Sequence, residues 1–274
     1  MNNISCDIAL MMPAYNAAPF IKDAIESVLN QTEKSFIIVI ADDASTDNTV
    51  EIIRTFTEQD TRIILLENKI NIGMNANFNK ILDYIQSSVQ CKYIAIFSGD
   101  DLLSPKRFML QKKALKSNPD ADICFGPAEV LNHDGAYQLS NKLVGVPKQI
   151  RSIYPYKYII KNMFPFMPNT AFMRKEMLGK TRFVADFSAD FIFFTDIVMI
   201  NQKNIAYVNE PLMTYRRHSG GFTSSIKPFE LFIGTINFHF QLVKKYPAYT
   251  YWLSKSFIGK LFGGGLRYLI SKYN

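Results

Sequence analysis

The first hundred residues alternate between two hydrophobic patterns. Short apolar runs, typical of buried strands, are separated by segments in which apolar residues recur every three or four positions, as on one face of a helix. The predicted strands are 8–12, 36–41, 62–67 and 93–97, and the predicted helices are 18–29, 49–56 and 76–86. This β-α alternation with short connections predicts a doubly wound α/β fold with a mostly parallel central sheet flanked by helices.

The pattern is less regular in the second half of the chain. It predicts the helices 106–117 and 186–200, the strands 122–125 and 170–173, and a hairpin turn at 132–135. The basic span 139–158 contains Tyr and Pro and is weakly patterned. We expect a loop there, which either covers a cleft or is an ordinary surface loop. From about residue 227 the chain becomes helical, aromatic and basic.

Acidic pairs directly follow two of the predicted strands. Asp42 and Asp43 follow the second strand, and Asp100 and Asp101 follow the fourth. Right-handed crossovers place the carboxyl ends of parallel strands on one side of the sheet, and open α/β sheets bind ligands in the crevice there. Residues 13–16 follow the first strand and should line the same crevice. The sequence therefore predicts a polar site for a cation or a polyol at this edge.

The net charge of +7 favours an anionic partner, such as phosphate or a membrane surface. Nucleic acid is not expected, since the basic residues lack the aromatic interleaving of nucleic-acid-binding modules. Three cysteines, each in or beside an apolar run, favour reduced core thiols in a cytosolic protein over disulfides or a metal cluster. Neither a signal peptide nor a transmembrane helix is expected from the hydropathy of the chain.

Six motifs, in this order, resemble those of family-2 glycosyltransferases with the GT-A fold. They are MMPAYN (11–16), SVLNQT (27–32), IADDASTDNT (40–49), NIGMNANFN (71–79), SGDD (98–101) and YRRHSGGFTSS (215–225). The resemblance implies that a sugar is transferred with inversion from a nucleotide donor to an acceptor hydroxyl. It also implies a GT-A domain at 1–225, with a nucleotide-binding half at about 1–103 and an acceptor half at about 104–225. The tail at 226–274 is not covered and is expected to be an amphipathic helical extension.

The resemblance implies a nucleobase site formed by Pro13, Tyr15 and Asp43. Asp43 matches the residue that accepts a hydrogen bond from the imide of uracil. Tyr15 would stack on the base, and Pro13 would shape its slot. Because a carboxylate only accepts hydrogen bonds, it favours a base that presents a donor. The expected donor is a uridine diphosphate sugar, with guanosine and thymidine donors as alternatives.

The resemblance also implies a site for the diphosphate, whose charge a hard divalent cation, Mg²⁺ or Mn²⁺, would neutralise. Asp101 is the expected metal ligand, and Asp100 is expected to orient the ribose or a metal-bound water. His218 would complete the metal shell or donate to the diphosphate, with Arg216 nearby as a permanent cation. Asn77, at a position that is often basic in this family, is also expected on the donor side.

Inversion needs a base that takes the proton of the acceptor hydroxyl. Asp190 is the expected base, and Asp186 and Asp196 on the same predicted helix are the alternatives. Asp186 and Asp190 are four residues apart and would share a helical face, where their repulsion would raise the pKa of one of them.

The motifs and the basic tail together favour a cytoplasmic enzyme at the inner face of the plasma membrane, acting on a lipid-linked or polysaccharide intermediate of a bacterial surface glycan. The tail would contact anionic lipid, with a helical cap or a dimer contact as alternatives. A sugar-phosphate nucleotidyltransferase would need a Gly-rich phosphate loop, which 13–16 lacks. A non-catalytic nucleotide-sugar-binding protein would not need the acids at 43, 101 and 190. The sugar, the acceptor and the oligomeric state stay open.

Overall fold

The fold is seen in a computed structural model that describes residues 4–133, 137–162, 164–184, 189–219, 221, 228–251 and 254. The helices in this part of the chain are α1 (Ile21–Leu29), α2 (Thr49–Gln59), α3 (Met74–Ser88), α4 (Arg107–Ser117), α5 (Tyr158–Lys161), α6 (Ala189–Asn201) and α7 (Pro228–Lys245). The strands are β1 (Ile4–Ser5), β2 (Ile8–Ala14), β3 (Phe36–Asp42), β4 (Ile63–Glu67), β5 (Val89–Gln90), β6 (Tyr93–Ile96), β7 (Leu102–Leu103), β8 (Ala121–Phe125), β9 (Ala128–His133), β10 (Tyr137–Val144), β11 (Ile153–Tyr154), β12 (Phe172–Arg174), β13 (Asn204–Tyr207) and β14 (Met213–Arg217).

The centre of the fold is an eight-stranded sheet with the order β11-β13-β8-β12-β6-β2-β3-β4. Strand β2 pairs in parallel with β3 and β6, and β3 pairs in parallel with β4. The predicted mostly parallel α/β sheet is thereby confirmed. Strand β12 is an exception, because it runs antiparallel to both β6 and β8. The carboxyl ends of β2, β3 and β6 lie side by side at one edge of the sheet.

Strands β2 and β3 are covered on both faces, which explains their nearly continuous apolar sequences. Alternate residues pack into different layers. Leu10 and Ile38 belong to the core that includes residues of α1 and α4, whereas Met11 and Val39 belong to the core that includes residues of α3 and α6. With both faces covered by helices, the open edge at the strand ends is the part of the sheet left for polar residues.

A second, four-stranded sheet with the order β10-β9-β14-β7 stands beside this edge. Strand β14 pairs antiparallel with β7, with Met213 opposite Leu103 and Thr214 opposite Leu102. The sequence pattern predicted the hairpin of β9 and β10 in this sheet but not the pairing of β14 with β7 and β9. Because β7 directly follows the acidic pair at 100–101, the pairing carries the last residues of β14 next to that pair.

Strand β10 shows that the prediction of a loop throughout 139–158 is wrong. It pairs antiparallel with β9, as the predicted hairpin requires, and continues to Val144, while Ile153–Tyr154 forms β11 at the edge of the central sheet. The pairing register shifts between Ser140 and Val144. Such an irregularity interrupts the two-residue alternation from which a strand is predicted. The turn residues 134–136 lie outside the described residues.

Helix α7 is attached to α6 by a buried carboxylate. Asp196 accepts hydrogen bonds from Lys245 Nζ and from the Tyr246 hydroxyl, the latter at 2.8 Å. Leu242 packs in the same core as α6. The predicted helix 186–200 is observed from Ala189, with 185–188 outside the described residues, as are 252–253 and 255–274 of the predicted tail. No helix of the described part is long and apolar enough to cross a bilayer.

Candidate active site

The loops that follow β2 and β3 are joined into one wall of the crevice. Asn16 Oδ1 accepts a hydrogen bond from Thr46 N at 2.8 Å, and Asn16 N donates to Ser45 Oγ at 2.9 Å. Asn16 takes the left-handed conformation, with φ of 47°, which Asn tolerates better than most residues. Tyr15 precedes this junction and is 50% exposed. Its ring is therefore available to a ligand rather than used for core packing.

Pro13 is the penultimate residue of β2 and lies beside the turn that carries the second acidic pair. It lies opposite Ala41 in the register of β2 and β3. Gly99 in the turn approaches so closely that an added Cβ would lie 2.9 Å from Ile21 Cδ1 and 3.4 Å from the Pro13 carbonyl oxygen. Glycine at position 99 therefore allows the acidic turn to pack directly against the end of β2.

Asp43 is buried and holds the start of helix α3. Its Oδ1 accepts from Asn68 Nδ2 and Ile72 N, both at 2.8 Å, and its Oδ2 accepts from Gly73 N at 2.9 Å. Gly73 has φ of 87° and ψ of 151°, a conformation essentially restricted to glycine. A carboxylate offers about four acceptor positions, and these three bonds leave about one for a ligand.

Asn77 supports Asp43 from the interior. Its Nδ2 donates to the Ala41 carbonyl oxygen at 2.7 Å, and its Oδ1 accepts from Asn68 Nδ2 at 3.0 Å. The side chain is only 1% exposed. The expected direct contact of Asn77 with a donor does not fit this geometry, because both amide atoms are already used to join α3 to the end of β3.

The two acids of the SGDD motif have different environments. Asp101 is fully buried, and its Oδ1 accepts from Arg216 N at 2.9 Å, while its Oδ2 has no hydrogen-bond partner among the described residues. Burial, reinforced by repulsion from Asp100, raises the pKa of Asp101. Asp100 is partly exposed at the edge of the crevice, with about a third of its side chain accessible.

His218 faces Asp100 rather than Asp101. Its Nε2 lies 3.3 Å from Asp100 Oδ2, and its ring lies 4.3 Å, centroid to centroid, from the ring of Phe20. We expected Asp101 and His218 to form the metal-binding pair, but the exposed carboxylate of the turn is that of Asp100. The side chain of Asp101 lies behind it, bonded to β14.

The side chain of Arg216 is directed at helix α1. Its NH2 group donates to Asp23 Oδ2 at 2.8 Å, and its guanidinium carbon lies 5.5 Å from the centre of the Phe20 ring. The residue is 6% exposed. These contacts fix the end of β14 against α1, whereas the expected role of Arg216 was a contact with the donor.

Arg107 binds the backbone at the end of β6, just before the SGDD turn. Sequence reasoning did not identify this residue. The side chain is fully buried at the start of α4, where its NH2 group donates to the carbonyl oxygens of Ile96 at 2.9 Å and Ala171 at 3.2 Å. Burial lowers its pKa to about 9. The only sequence signal is its four-residue spacing from Gln111, whose Oε1 accepts from Arg107 Nε at 3.0 Å.

Asp190 lies in the first turn of α6. It is half-buried, and its Oδ1 accepts from the Phe191 amide at 2.8 Å. Burial raises its pKa to about 6, although its backbone hydrogen bonds act in the opposite direction. A carboxylate with this pKa is ionised at neutral pH and is a stronger base than an ordinary Asp.

Of the two alternatives to Asp190 as the base, only Asp196 lies among the described residues. Asp196 is 4% exposed and is committed to Lys245 and Tyr246, so it has no accessible lone pair for an acceptor hydroxyl. Asp186 lies outside the described residues.

A divalent cation fits the chemistry of Asp100 and His218. Mg²⁺ and Mn²⁺ are commonly held by one or two protein ligands, with phosphate oxygens and waters as the others. Among the described residues no group of three or more His, Cys, Asp or Glu side chains could hold a metal. The protein would therefore supply this pair, and the remaining ligands would come from a phosphorylated molecule and water.

Comparison with known proteins assigns the chain to a family. The model of glycosyl transferase family 2 matches residues 9–182, well over half of the chain, and the chain belongs to this family. An uncharacterized glycosyltransferase of Methanocaldococcus jannaschii is 28% identical over 230 residues, which cover 82% of this chain and 76% of that protein. An uncharacterized glycosyltransferase of Haemophilus influenzae is 27% identical over 244 residues, which cover 86% of this chain and 89% of that protein.

Solved structures confirm the GT-A fold. TarS of S. aureus, in a complex with UDP-GlcNAc, matches with a TM-score of 0.67 and 18% identity over 86% of this chain and 66% of the TarS chain. The mannosyltransferase PcManGT of Pyrobaculum calidifontis, in a complex with GDP-Man and Mn²⁺, matches with a TM-score of 0.64 and 14% identity over 100% of this chain and 83% of that chain.

The contacts of Asp43 generate a stability prediction. Replacement of Asp43 by Asn puts an NH2 group where a carboxylate oxygen now accepts from backbone amides, leaving at least one buried donor unsatisfied. We expect the free energy of unfolding to fall by about 2 kcal/mol, measured by urea denaturation. Glu58→Gln, an exposed change on α2, is the control and should alter it by less than about 0.5 kcal/mol. An Asp43→Asn variant as stable as this control would contradict the role of Asp43 as an anchor.

Proposed function

We propose that the protein is an inverting glycosyltransferase that moves a hexosyl or N-acetylhexosaminyl group from a uridine diphosphate sugar to an acceptor hydroxyl. The observation that carries this proposal is the meeting of Asp100 and His218 at the carboxyl edge of the central sheet. Tyr15 and Asp43 follow the neighbouring strands β2 and β3, and Asp190 lies in the first turn of α6. Family membership supports the reaction class. These side chains would bind the nucleobase, bind the diphosphate and accept the proton of the acceptor hydroxyl.

The nucleobase would lie between Tyr15 and the end of β3. Tyr15 is exposed enough to stack on a base, Pro13 would shape the slot, and Asp43 has about one acceptor position left for a base N–H. TarS binds UDP-GlcNAc and PcManGT binds GDP-Man, which supports a nucleoside diphosphate donor without deciding the base. The acceptor-only chemistry of Asp43 favours uracil.

The diphosphate would lie at Asp100 and His218, which we propose as the protein ligands of Mg²⁺ or Mn²⁺. This proposal moves the direct contact from Asp101 to its more exposed neighbour. When bound, the cation supplies positive charge that stabilises the leaving diphosphate. Asp101 positions the pair, because its bond to Arg216 N fixes the backbone two residues before His218.

Asp190 would act as the base that accepts the proton of the acceptor hydroxyl as this oxygen attacks the anomeric carbon. Its raised pKa matches the requirement that a general base be ionised yet basic near neutral pH. Attack from the face opposite the leaving diphosphate produces inversion at that carbon.

The acceptor would be a glycan or a lipid-linked sugar, and the protein would lie peripherally on an anionic membrane. The exposed face of α7 supports the second part, since Phe240 is 67% exposed and Lys244 follows it by one turn on the same face. An aromatic ring beside a lysine is the composition of helices that lie in the headgroup region.

Replacement of Asp190 by Asn tests the base. We expect kcat for hydrolysis of the best donor in a panel of nucleotide sugars, with water as the acceptor, to fall by at least about 100-fold. The dissociation constant for UDP should stay within about twofold. In the wild type, kcat should fall below pH 6, where Asp190 becomes protonated, and the residual rate of the variant should lack this limb.

The same variant should be more stable than the wild type. The folded-state pKa of Asp190 lies above its unfolded value of 3.8, so its ionised form destabilises the fold above about pH 6 and this penalty vanishes below about pH 4. We expect Asp190→Asn to raise the free energy of unfolding at pH 7 by about 1–3 kcal/mol. Asp196→Asn, on the same helix, should lower it, because Asp196 bonds Lys245 and Tyr246. An active Asp190→Asn variant would refute the assignment.

The cation site is tested by separate changes of the two acids. Asp100→Asn and His218→Ala should each weaken the binding of Mn²⁺ together with UDP by at least about tenfold, measured by calorimetry. Asp101→Asn keeps the acceptor for Arg216 N and should change this affinity less than Asp100→Asn does. The reverse ranking would restore Asp101 as the direct ligand. Glu58→Gln serves as the neutral control.

Membrane contact is tested by vesicle binding. The full chain should co-float with vesicles of phosphatidylglycerol and phosphatidylcholine, and Lys244→Glu should reduce this binding by about tenfold. The matched control is Lys34→Glu, the same charge reversal at an exposed position after α1. Equal binding of the two variants would remove α7 from the contact surface, and no binding by the wild type would remove the membrane from the proposal.

A further inference from the structure

The segment 181–183 lies along one face of helix α3. Arg182 NH2 donates to Asp83 Oδ1 at 2.9 Å and to Gln86 Oε1 at 2.8 Å, while the next residue of the segment contacts Asn79. Positions 79, 83 and 86 are four and three residues apart and therefore share a helical face. The segment leads, through residues outside the described part, to Ala189 and the first turn of α6.

Asn79 and the backbone of Phe183 form a reciprocal pair of hydrogen bonds. Asn79 Nδ2 donates to the Phe183 carbonyl oxygen at 2.8 Å, and Phe183 N donates to Asn79 Oδ1 at 2.9 Å. The side-chain amide thus takes the place of a neighbouring strand. The amide groups of Asn and Gln carry a donor and an acceptor side by side on one carbon, and the shorter Asn places them closer to the helix. The residue type is therefore matched to this pairing.

The ring of Phe183 is stacked between two helices. It lies 4.6 Å from the ring of Phe78 on α3, with an interplanar angle of 16°, and 3.9 Å from the ring of Phe193 on α6, with an angle of 11°. Phe183 is 5% exposed. Phe193 follows Asp190 by three residues, so it lies on nearly the same face of α6 one turn later. The position of Phe183 therefore helps to set the position of the first turn of α6.

Helix α3 is fixed at its start by the wall formed by the loops after β2 and β3, where the nucleobase is proposed to bind (the nucleobase wall). Asp43 holds the backbone amides of Ile72 and Gly73 immediately before the helix, and Asn77 joins the first turns of the helix to β3. Asn79 lies on the next turn. Helix α3 thus contacts two parts of the site. Its start is bonded to Asp43 and to the end of β3, and its next turns are bonded to the segment 181–183, which precedes α6.

We propose that Asn79 is a positioning residue that, through Phe183, fixes where Asp190 lies relative to the donor. The inference rests on the proposed role of Asp190 as the base. It assigns a role to the last residue of the NIGMNANFN motif, which the proposed reaction otherwise leaves unused. Asn79 itself touches neither donor nor acceptor in this arrangement. Asn79 would affect the reaction only by setting the position of the base, Asp190.

The test replaces Asn79 by Ala and measures hydrolysis of the same nucleotide sugar. A displacement of the base by about 1 Å is expected to lower kcat by about 10- to 100-fold. The KM for the donor and the dissociation constant for UDP should stay within twofold, because the nucleobase wall is held by Asp43. A variant in which UDP affinity falls together with kcat would overturn the inference, since Asn79 would then merely stabilise α3.

Two further variants keep the test decisive. Asn79→Asp has the same shape and keeps the acceptor for Phe183 N, but it places a carboxylate oxygen against the Phe183 carbonyl, so kcat should fall as in Asn79→Ala. Asp83→Ala removes an ion pair on the same helical face whose partners are 37% and 65% exposed, and should leave kcat within twofold. Equal effects of Asn79→Asp and Asp83→Ala would overturn the inference.

Asp190→Asn, measured in parallel, separates this inference from the proposed function. If Asp190→Asn keeps the wild-type kcat, the base assignment fails, and the positioning role fails with it. If Asp190→Asn loses kcat while Asn79→Ala and Asn79→Asp retain it, the proposed function stands and the positioning role alone is overturned.

Discussion

The bond from Arg216 N to Asp101 Oδ1 joins the two sheets at the candidate site. It links residues 115 positions apart and carries β14 to the end of β6, which is how His218 comes to face Asp100. A fully buried carboxylate is costly unless other groups compensate for its charge. The guanidinium of Arg107, also fully buried, attracts Asp101 and binds the last carbonyl of β6. Two buried ionisable side chains, Asp101 and Arg107, thus support the partly exposed Asp100.

In both acidic pairs, the two carboxylates have different contacts. Asp42 accepts hydrogen bonds from the backbone and side chain of Ser45 and shapes the turn after β3, whereas Asp43 reaches across to α3. Asp101 bonds to β14, whereas Asp100 stays at the edge of the crevice. Asp42 thus shapes a local turn, whereas Asp101 joins two distant segments, and in both pairs these bonds help to fix the backbone that carries the neighbouring acid. Adjacent acids at a strand end are therefore both a turn signal and a site signal.

The sequence pattern predicted the elements whose contacts are local and regular. The strands β2, β3 and β6 are continuous apolar runs because helices cover both of their faces, and this can be recognised without knowing what covers them. The two-residue strand β7 depends on the distant strand β14, and the pairing register of β10 shifts within the strand, so their sequences carry little periodicity. For the same reason sequence reasoning found the SGDD turn but did not predict that Asp101 is buried while Asp100 is partly exposed. The roles of Asn77 and Arg107 depend on which carbonyls lie opposite them, which no spacing in the sequence encodes.

Helix α6 carries two carboxylates with different environments, since the charge of Asp196 is compensated by a cation and the charge of Asp190 is not. Asp196 meets Lys245 and Tyr246 from the C-terminal segment, and its charge serves to attach α7. Asp190 is half-buried, and because the groups that lower its pKa are backbone amides rather than a cation, the effect of burial dominates. The ionised Asp190 therefore weakens the fold, and the packing of Phe183 between Phe78 and Phe193 supplies stability next to it. If Asp190 is the base, as we propose, its uncompensated charge requires neighbours that hold it without neutralising it, and an aromatic stack with a side-chain amide pair meets this requirement.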